Sequence, residues 1–124
     1  MDNKRRLPDS ELEVMQAIWD CEAPVTRPDI EEKLRNTYPI AQTTLLTLLT
    51  RLGEKGFIRT EQQGRQRQYV PLVSRQDYLA GQSSRFFRKL CGGSVSAFAN
   101  ALCDGVLTKE EIAELRQLLE RDEV

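Results

Sequence analysis

Threonine hydroxyls and one arginine are concentrated in residues 42–51, near the middle of the 124-residue chain. At about 100° of rotation per residue, Thr43, Thr47 and Thr50 fall on one face of a helix. Threonine weakens a helix, and solvent-facing positions usually carry stronger helix formers. Short hydroxyl side chains fit against the donors, acceptors and thymine methyls of the DNA major groove. The segment therefore predicts a DNA-reading helix with these candidate contacts: Gln42, Thr43, Thr44, Thr47 and Arg51.

An apolar stripe on the opposite face would hold this helix against a core. Leucines recur at i, i+3, i+4 and i+7, namely Leu45, Leu48, Leu49 and Leu52. This spacing predicts an amphipathic helix over residues 41–55. Gly56 is expected to end it, because glycine adopts a left-handed conformation at low cost. The same stripe fits an ordinary core helix whose outer face carries threonines, and that alternative stays open at this point.

The residues after the helix favour the DNA-binding interpretation. Residues 57–62 and 68–70 are rich in strand formers, and Gly64 lies in the turn between them. Arg65 and Arg67 flank this tip and are predicted to lie near DNA phosphates. A helix followed by a hairpin with a basic tip is typical of a winged helix. Residues 51–68 contain five basic and two acidic side chains, so their local net charge is +3, although the whole chain has a net charge of −1. The basic residues are Arg51, Lys55, Arg59, Arg65 and Arg67.

The sequence predicts a mainly α fold with a small β-hairpin, in which residues 1–73 form a winged helix-turn-helix domain. Ser10 and Glu13 are expected to form a capping box at the start of the first helix. Thr26 is expected to cap the second helix. Val25 is predicted to be an extended residue that pairs with the hairpin.

Residues 74–124 are predicted to form a separate dimerisation region of three short amphipathic helices. Helices this short bury their apolar faces poorly on their own, and homodimers are the commonest oligomers. We therefore expect a second copy of the chain, related by two-fold symmetry. The alternative is a monomer in which these helices fold back on the first domain. The predicted interface residues are Phe86, Phe87, Leu90, Phe98, Leu115 and Leu119.

Composition argues against an enzyme. The chain has no histidine, and its cysteines (Cys21, Cys91 and Cys103) lack zinc or disulfide spacing. No phosphate-binding loop or nucleophile motif is found, so we expect no catalytic residue, metal, cofactor or small-molecule substrate. No apolar run approaches the roughly 18 residues of a membrane span, and no signal-peptide pattern follows Met1. The expectation is a cytoplasmic protein without membrane insertion.

Taken together, five segments resemble the penicillinase repressor family, the BlaI/MecI-type winged-helix repressors. They are EVMQAIW at residues 13–19, TLLTLLTRL at 44–52, KGFIR at 55–59, FFRKLCGG at 86–93 and EIAELR at 111–116. The resemblance implies a homodimeric repressor of antibiotic-resistance genes that binds a two-fold symmetric operator. It also implies cleavage by a membrane sensor protease, at a position that maps to Asn100 and Ala101. This chain departs from the family pattern at Ala101, where phenylalanine is usual, and at Leu46, where a basic residue is often found. It also departs at Ala41, where a serine commonly caps the recognition helix.

Two other functions compete with this one. The first is a protein–protein adaptor whose wing contacts an acidic partner; only a DNA reader would lose duplex affinity steeply with salt and prefer one sequence. The second is a repressor that responds to a thiol or metal signal. Cys91 and Cys103 lie near helix C-termini, where the helix dipole disfavours a thiolate.

Overall fold

The computed structural model describes residues 6–121. Within this range, local sequence signals account for the order of the helices and strands. The N-terminal elements are α1 (Asp9–Asp20), β1 (Val25–Thr26), α2 (Arg27–Leu34), α3 (Gln42–Glu54), β2 (Ile58–Gln63), β3 (Gln66–Pro71) and α4 (Arg75–Arg85). A π-helical turn at Phe86–Leu90 precedes α5 (Val95–Ala101). The segment Leu102–Val106, whose backbone is not helical at Asp104 and Gly105, precedes α6 (Lys109–Arg121). The predicted fold class is confirmed: the chain is mainly helical with a small antiparallel sheet.

The leucine stripe of α3 is buried, as predicted. Leu45 and Leu52 are essentially inaccessible, and they pack in a core with Met15, Ile30 and Phe57. Gly56 follows the helix with a φ of 81°. A residue with a side chain would be strained at that angle, but glycine is not. The chain can therefore turn directly from α3 into β2 at Gly56.

A three-stranded antiparallel sheet in the order β1-β3-β2 forms the wing and its base. Val25 pairs with Tyr69, so the prediction for Val25 is confirmed. Tyr69 also pairs with Thr60 on the other side, which places β3 at the centre of the sheet. The turn between β2 and β3 contains Gly64 at a φ of 61°.

The two predicted helix caps differ in outcome. Thr26 caps α2 with a complete capping box, and its hydroxyl accepts a hydrogen bond from the amide of Asp29. The capping box predicted for Ser10 and Glu13 is wrong, because α1 begins at Asp9 and no side chain caps it. Pro8 is already the extended residue before the helix, and its carbonyl accepts from the amide of Leu12 at 2.9 Å. Ser10 therefore lies inside the first turn.

The chain divides into two compact units, Met1–Gln82 and Ser83–Val124. The division lies nine residues beyond the predicted one after Val73, because the first half of α4 belongs to the N-terminal unit. Tyr78 of α4 is buried, accepts a hydrogen bond from the Leu7 amide at 2.9 Å, and has its ring 5.9 Å from that of Phe57. No helix in the described part of the chain is long and apolar enough to cross a bilayer.

Candidate nucleic-acid-binding surface

The outer face of α3 carries every candidate base contact. All five are exposed on the N-terminal unit: Gln42, Thr43, Thr44, Thr47 and Arg51. The N-cap of α3 is Ala41, which makes no side-chain hydrogen bond to the helix. The first amides of α3 are therefore not covered by a capping side chain, and a phosphate oxygen is a suitable partner for amides in that position.

Two of the threonine hydroxyls on this face are already engaged. The hydroxyl of Thr47 donates to the carbonyl oxygen of Thr43 at 3.1 Å, and that of Thr50 donates to the carbonyl oxygen of Leu46 at 3.0 Å. Leu46, on the same side of the helix, is 38% exposed. Leu46 was not among the predicted contacts, although its i+3 spacing from Thr43 places it on the same side of the helix.

The wing lies beside this face and forms a groove with it. Arg65 and Arg67 are exposed at the hairpin tip. The groove has a volume of about 550 Å³. Its lining joins the helix to the wing through Leu46, Arg65, Arg67 and Tyr69. The groove therefore brings the predicted wing contacts beside Leu46 of α3, whereas none of the five predicted helix contacts lines it.

Only part of the predicted positive charge is available to a ligand. Lys55 forms an ion pair with Glu11, whose side chain is 3% exposed, so Lys55 connects the end of α3 to α1. Arg59 is paired with Glu61 on the same strand. Among residues 6–121, no ion pair involves Arg51, Arg65 or Arg67. These three guanidinium groups, and not the five basic side chains counted in the sequence, are therefore the cations best placed to meet phosphates.

The C-terminal unit contains the predicted interface residues, and none of its described residues is buried. Phe86 and Phe87 each contact Phe98, with ring centroids 5.8 Å apart. Leu90 is 76% exposed and Leu119 is 68% exposed. The aromatic residues therefore pack within one chain, while the two leucines are left facing solvent.

A second apolar feature of this unit is a cleft of about 380 Å³. Leu115 and Leu119 of α6 line it together with Leu102, Leu107 and Ile112. Asn100 and Ala101, the candidate cleavage residues, are exposed at the end of α5.

The cysteines are free thiols in separate environments. Burial, and next the nearby carboxylate of Asp29, raises the pKa of the Cys21 thiol. Cys91 is half-buried and Cys103 is exposed. In the part of the chain that the structure describes, no cluster of three His, Cys, Asp or Glu side chains is placed to hold a metal ion.

Comparison with known proteins gives a consistent result. The sequence profile of the penicillinase repressor family matches residues 7–121. The chain is 34% identical to the penicillinase repressor of Bacillus licheniformis over 93% of its own length and 90% of that protein. It is 33% identical to the methicillin resistance regulatory protein MecI of Staphylococcus aureus (strain N315), over 98% of its own length and 99% of that protein. It is also similar to the solution structure of the monomeric form of Bacillus licheniformis BlaI in complex with the blaP half-operator, with a TM-score of 0.52 and 31% identity over 63% of this chain and 94% of that one.

Proposed function

The chain belongs to the penicillinase repressor family of DNA-binding transcriptional repressors, and we propose that it acts as a homodimer on a two-fold symmetric operator. One observation carries the DNA-binding part of the proposal: Leu46, on the exposed outer face of α3, lines one groove with the two arginines at the tip of the wing. A winged helix places these two parts in the major groove and against the flanking backbone. The similar structure of Bacillus licheniformis BlaI was solved in complex with a half-operator, which supports DNA binding by this chain.

The operator can be found by selecting bound duplexes from a random library with the intact chain. We expect one two-fold symmetric sequence to emerge, with affinity that falls steeply as salt is raised. Specific sites are typically bound about 10³-fold or more tightly than unrelated DNA. Equal affinity for selected and shuffled duplexes would contradict specific repression and favour the adaptor alternative.

The proposed homodimer would be formed by the C-terminal unit. That unit lacks a buried residue within the described chain, and it exposes large leucines beside an apolar cleft. Soluble monomers rarely leave so continuous an apolar surface open to water. A second copy of the chain would cover it by two-fold symmetry, with the same residues on both sides.

Charged substitutions test this interface directly. Leu90→Glu combined with Leu119→Glu is expected to convert the protein from a dimer to a monomer in sedimentation equilibrium. A matched control is Leu72→Glu, because Leu72 is 47% exposed but lies in the N-terminal unit. A double variant that sediments as a dimer would exclude Leu90 and Leu119 from the interface.

We further propose that proteolysis between Asn100 and Ala101 releases the operator. Both residues are exposed, and a cut there would separate α6, with Leu115 and Leu119, from the rest of the chain. The protease would be a membrane sensor of β-lactams, and the regulated genes would be antibiotic-resistance genes. Mass spectrometry of the repressor from β-lactam-treated cells should detect a fragment beginning at Ala101, and an intact chain in derepressed cells would argue for another signal.

The proposal assigns no enzymatic activity to the chain. Its relatives are named as repressors and regulatory proteins, and no catalytic residue, metal, cofactor or small-molecule substrate is needed for the function. Its site of action would be the cytoplasm, where operator DNA is found. An absence of hydrolysis of the bound duplex in the operator-binding assay is the expected result.

A further inference from the structure

The exposed face of α3 contains a second stripe with the same spacing as the buried one. Thr43, Leu46, Thr47 and Thr50 recur at i, i+3, i+4 and i+7, and all four are exposed. By helical geometry they cover an arc of about 100° on the side opposite the buried leucines. We call these four residues the methyl stripe.

The hydrogen bonds of the methyl stripe determine what it can offer a ligand. The hydroxyls of Thr47 and Thr50 donate to carbonyl oxygens one turn earlier in the helix, those of Thr43 and Leu46. A hydroxyl has a single proton, so these donors are not available to a base edge. The outward contacts left to the two side chains are their γ-methyl groups and the remaining oxygen lone pairs. Leu46 adds an exposed aliphatic side chain at one edge of the stripe, next to Thr50, so the stripe presents a mainly apolar surface.

Cationic groups border the methyl stripe. Arg51 lies beside Thr47 on the helix, and Arg65 and Arg67 line the groove that begins at Leu46. A face with an apolar centre and cationic margins fits a ligand with the converse arrangement, an apolar strip between two rows of anions. The major groove of duplex DNA has this arrangement wherever thymines line it, because the C5-methyl of thymine is its apolar base-edge group.

We propose that the methyl stripe determines operator specificity by contacting thymine methyl groups. This inference rests on the proposed function and names the chemistry that the recognition helix reads. Glu54 continues the same face at the C-terminal end of α3, where a carboxylate would repel phosphates. The thymine contacts therefore belong to the first three turns, which is the part of a recognition helix that enters the groove.

Deoxyuridine tests the proposal because it removes the C5-methyl of thymine and leaves every hydrogen-bonding group of the base pair in place. The intact chain is titrated against the selected operator and against copies in which single thymines are replaced by deoxyuridine. At a contacted position, loss of one methyl should weaken binding about fourfold, and substitution in both half-sites about fifteenfold. Replacement of thymines outside the half-sites is the control and should leave the affinity unchanged.

Substitutions of Thr47 assign the contact to the protein side. Thr47→Val keeps the methyl and removes the hydroxyl, whereas Thr47→Ser keeps the hydroxyl and removes the methyl. We expect Thr47→Val to retain affinity and Thr47→Ser, which removes the methyl from both protomers of the proposed dimer, to lose about fifteenfold on the thymine operator. On the matched deoxyuridine operator, Thr47→Ser should cause no further loss, since the two changes remove the same contact. Thr37→Ser is the control variant, because the Thr37 hydroxyl also donates to its own backbone, at the carbonyl of Lys33, outside the stripe.

The outcomes separate this inference from the proposed function. If the chain prefers no duplex, the proposed function fails before deoxyuridine is used. If it binds a selected operator with equal affinity for the thymine and deoxyuridine forms, repression stands and thymine readout is wrong. If Thr47→Ser retains the operator affinity and Thr47→Val loses it, the contact is a hydrogen bond to the hydroxyl oxygen and the proposed methyl contact is wrong. Circular dichroism of each variant confirms that the helix content is unchanged.

Discussion

The wing provides a prediction whose magnitude follows from the number of cations. Arg65 and Arg67 are exposed at the hairpin tip, and among residues 6–121 neither takes part in an ion pair. In the proposed homodimer, two arginines in each of two protomers would give four phosphate contacts on one operator. Each contact contributes about 0.9 to the slope of log K against log salt, so replacing both arginines with alanine should flatten the slope by about 3.6. When salt is raised from 50 to 200 mM, the fold-loss of affinity should therefore be about 150 times smaller for the variant than for the parent chain.

The matched control changes the same hairpin without changing its net charge. Arg59 and Glu61 form an exposed ion pair on β2, and Arg59→Gln with Glu61→Gln removes one charge of each sign. This control should keep the parental slope. The assay is fluorescence anisotropy of a labelled operator duplex titrated with each protein from 50 to 200 mM KCl. A double arginine variant with the parental slope would refute the assignment of the wing to DNA phosphates.

Three further predictions concern the N-terminal unit. Lys55→Ala leaves the buried carboxylate of Glu11 unpaired and should lower the free energy of unfolding by about 3 kcal/mol in urea titrations. A loss below about 0.5 kcal/mol would show that the ion pair is not needed for stability. Tyr78→Phe removes the acceptor of the Leu7 amide and should cost about 1–3 kcal/mol in the same assay, and an unchanged midpoint would mean that water replaces it. Burial raises the pKa of Cys21, so its alkylation by iodoacetamide should begin at higher pH in the folded chain than in the urea-unfolded chain; coincident pH profiles by mass spectrometry would contradict this.

Periodicity and capping chemistry made much of the fold predictable. The leucines of α3 recur with helical spacing because one face must enter the core, and that spacing is visible in the sequence. Thr26 and Asp29 are three residues apart, so their capping box is also a local signal. The failure at Ser10 has a local cause too, because the N-cap is Pro8, two residues before the N-cap that the Ser10–Glu13 pattern suggests.

Long-range contacts were not predictable in this way. Lys55 and Glu11 are far apart in sequence, and only the packing of α1 against α3 brings them together. The count of basic residues around the wing therefore overstated the charge available to DNA. Tyr78 likewise joins the core of the N-terminal unit through contacts with Leu7 and Phe57, which the helical pattern of α4 alone does not indicate. The direction of the Thr47 hydroxyl is a rotamer choice, and sequence spacing contains no information about it.

We propose that the C-terminal unit joins two DNA-binding units on one operator. The most direct measurement compares the intact chain with a chain truncated after Gln82, which retains Tyr78 and the N-terminal core. Sedimentation and operator titration of both should show an intact dimer and a folded truncated monomer. The truncated chain should bind the full operator about 100-fold more weakly or worse, because linkage of the two half-sites is lost. A truncated chain that dimerises, or that binds the full operator as tightly as the intact protein, would contradict the account.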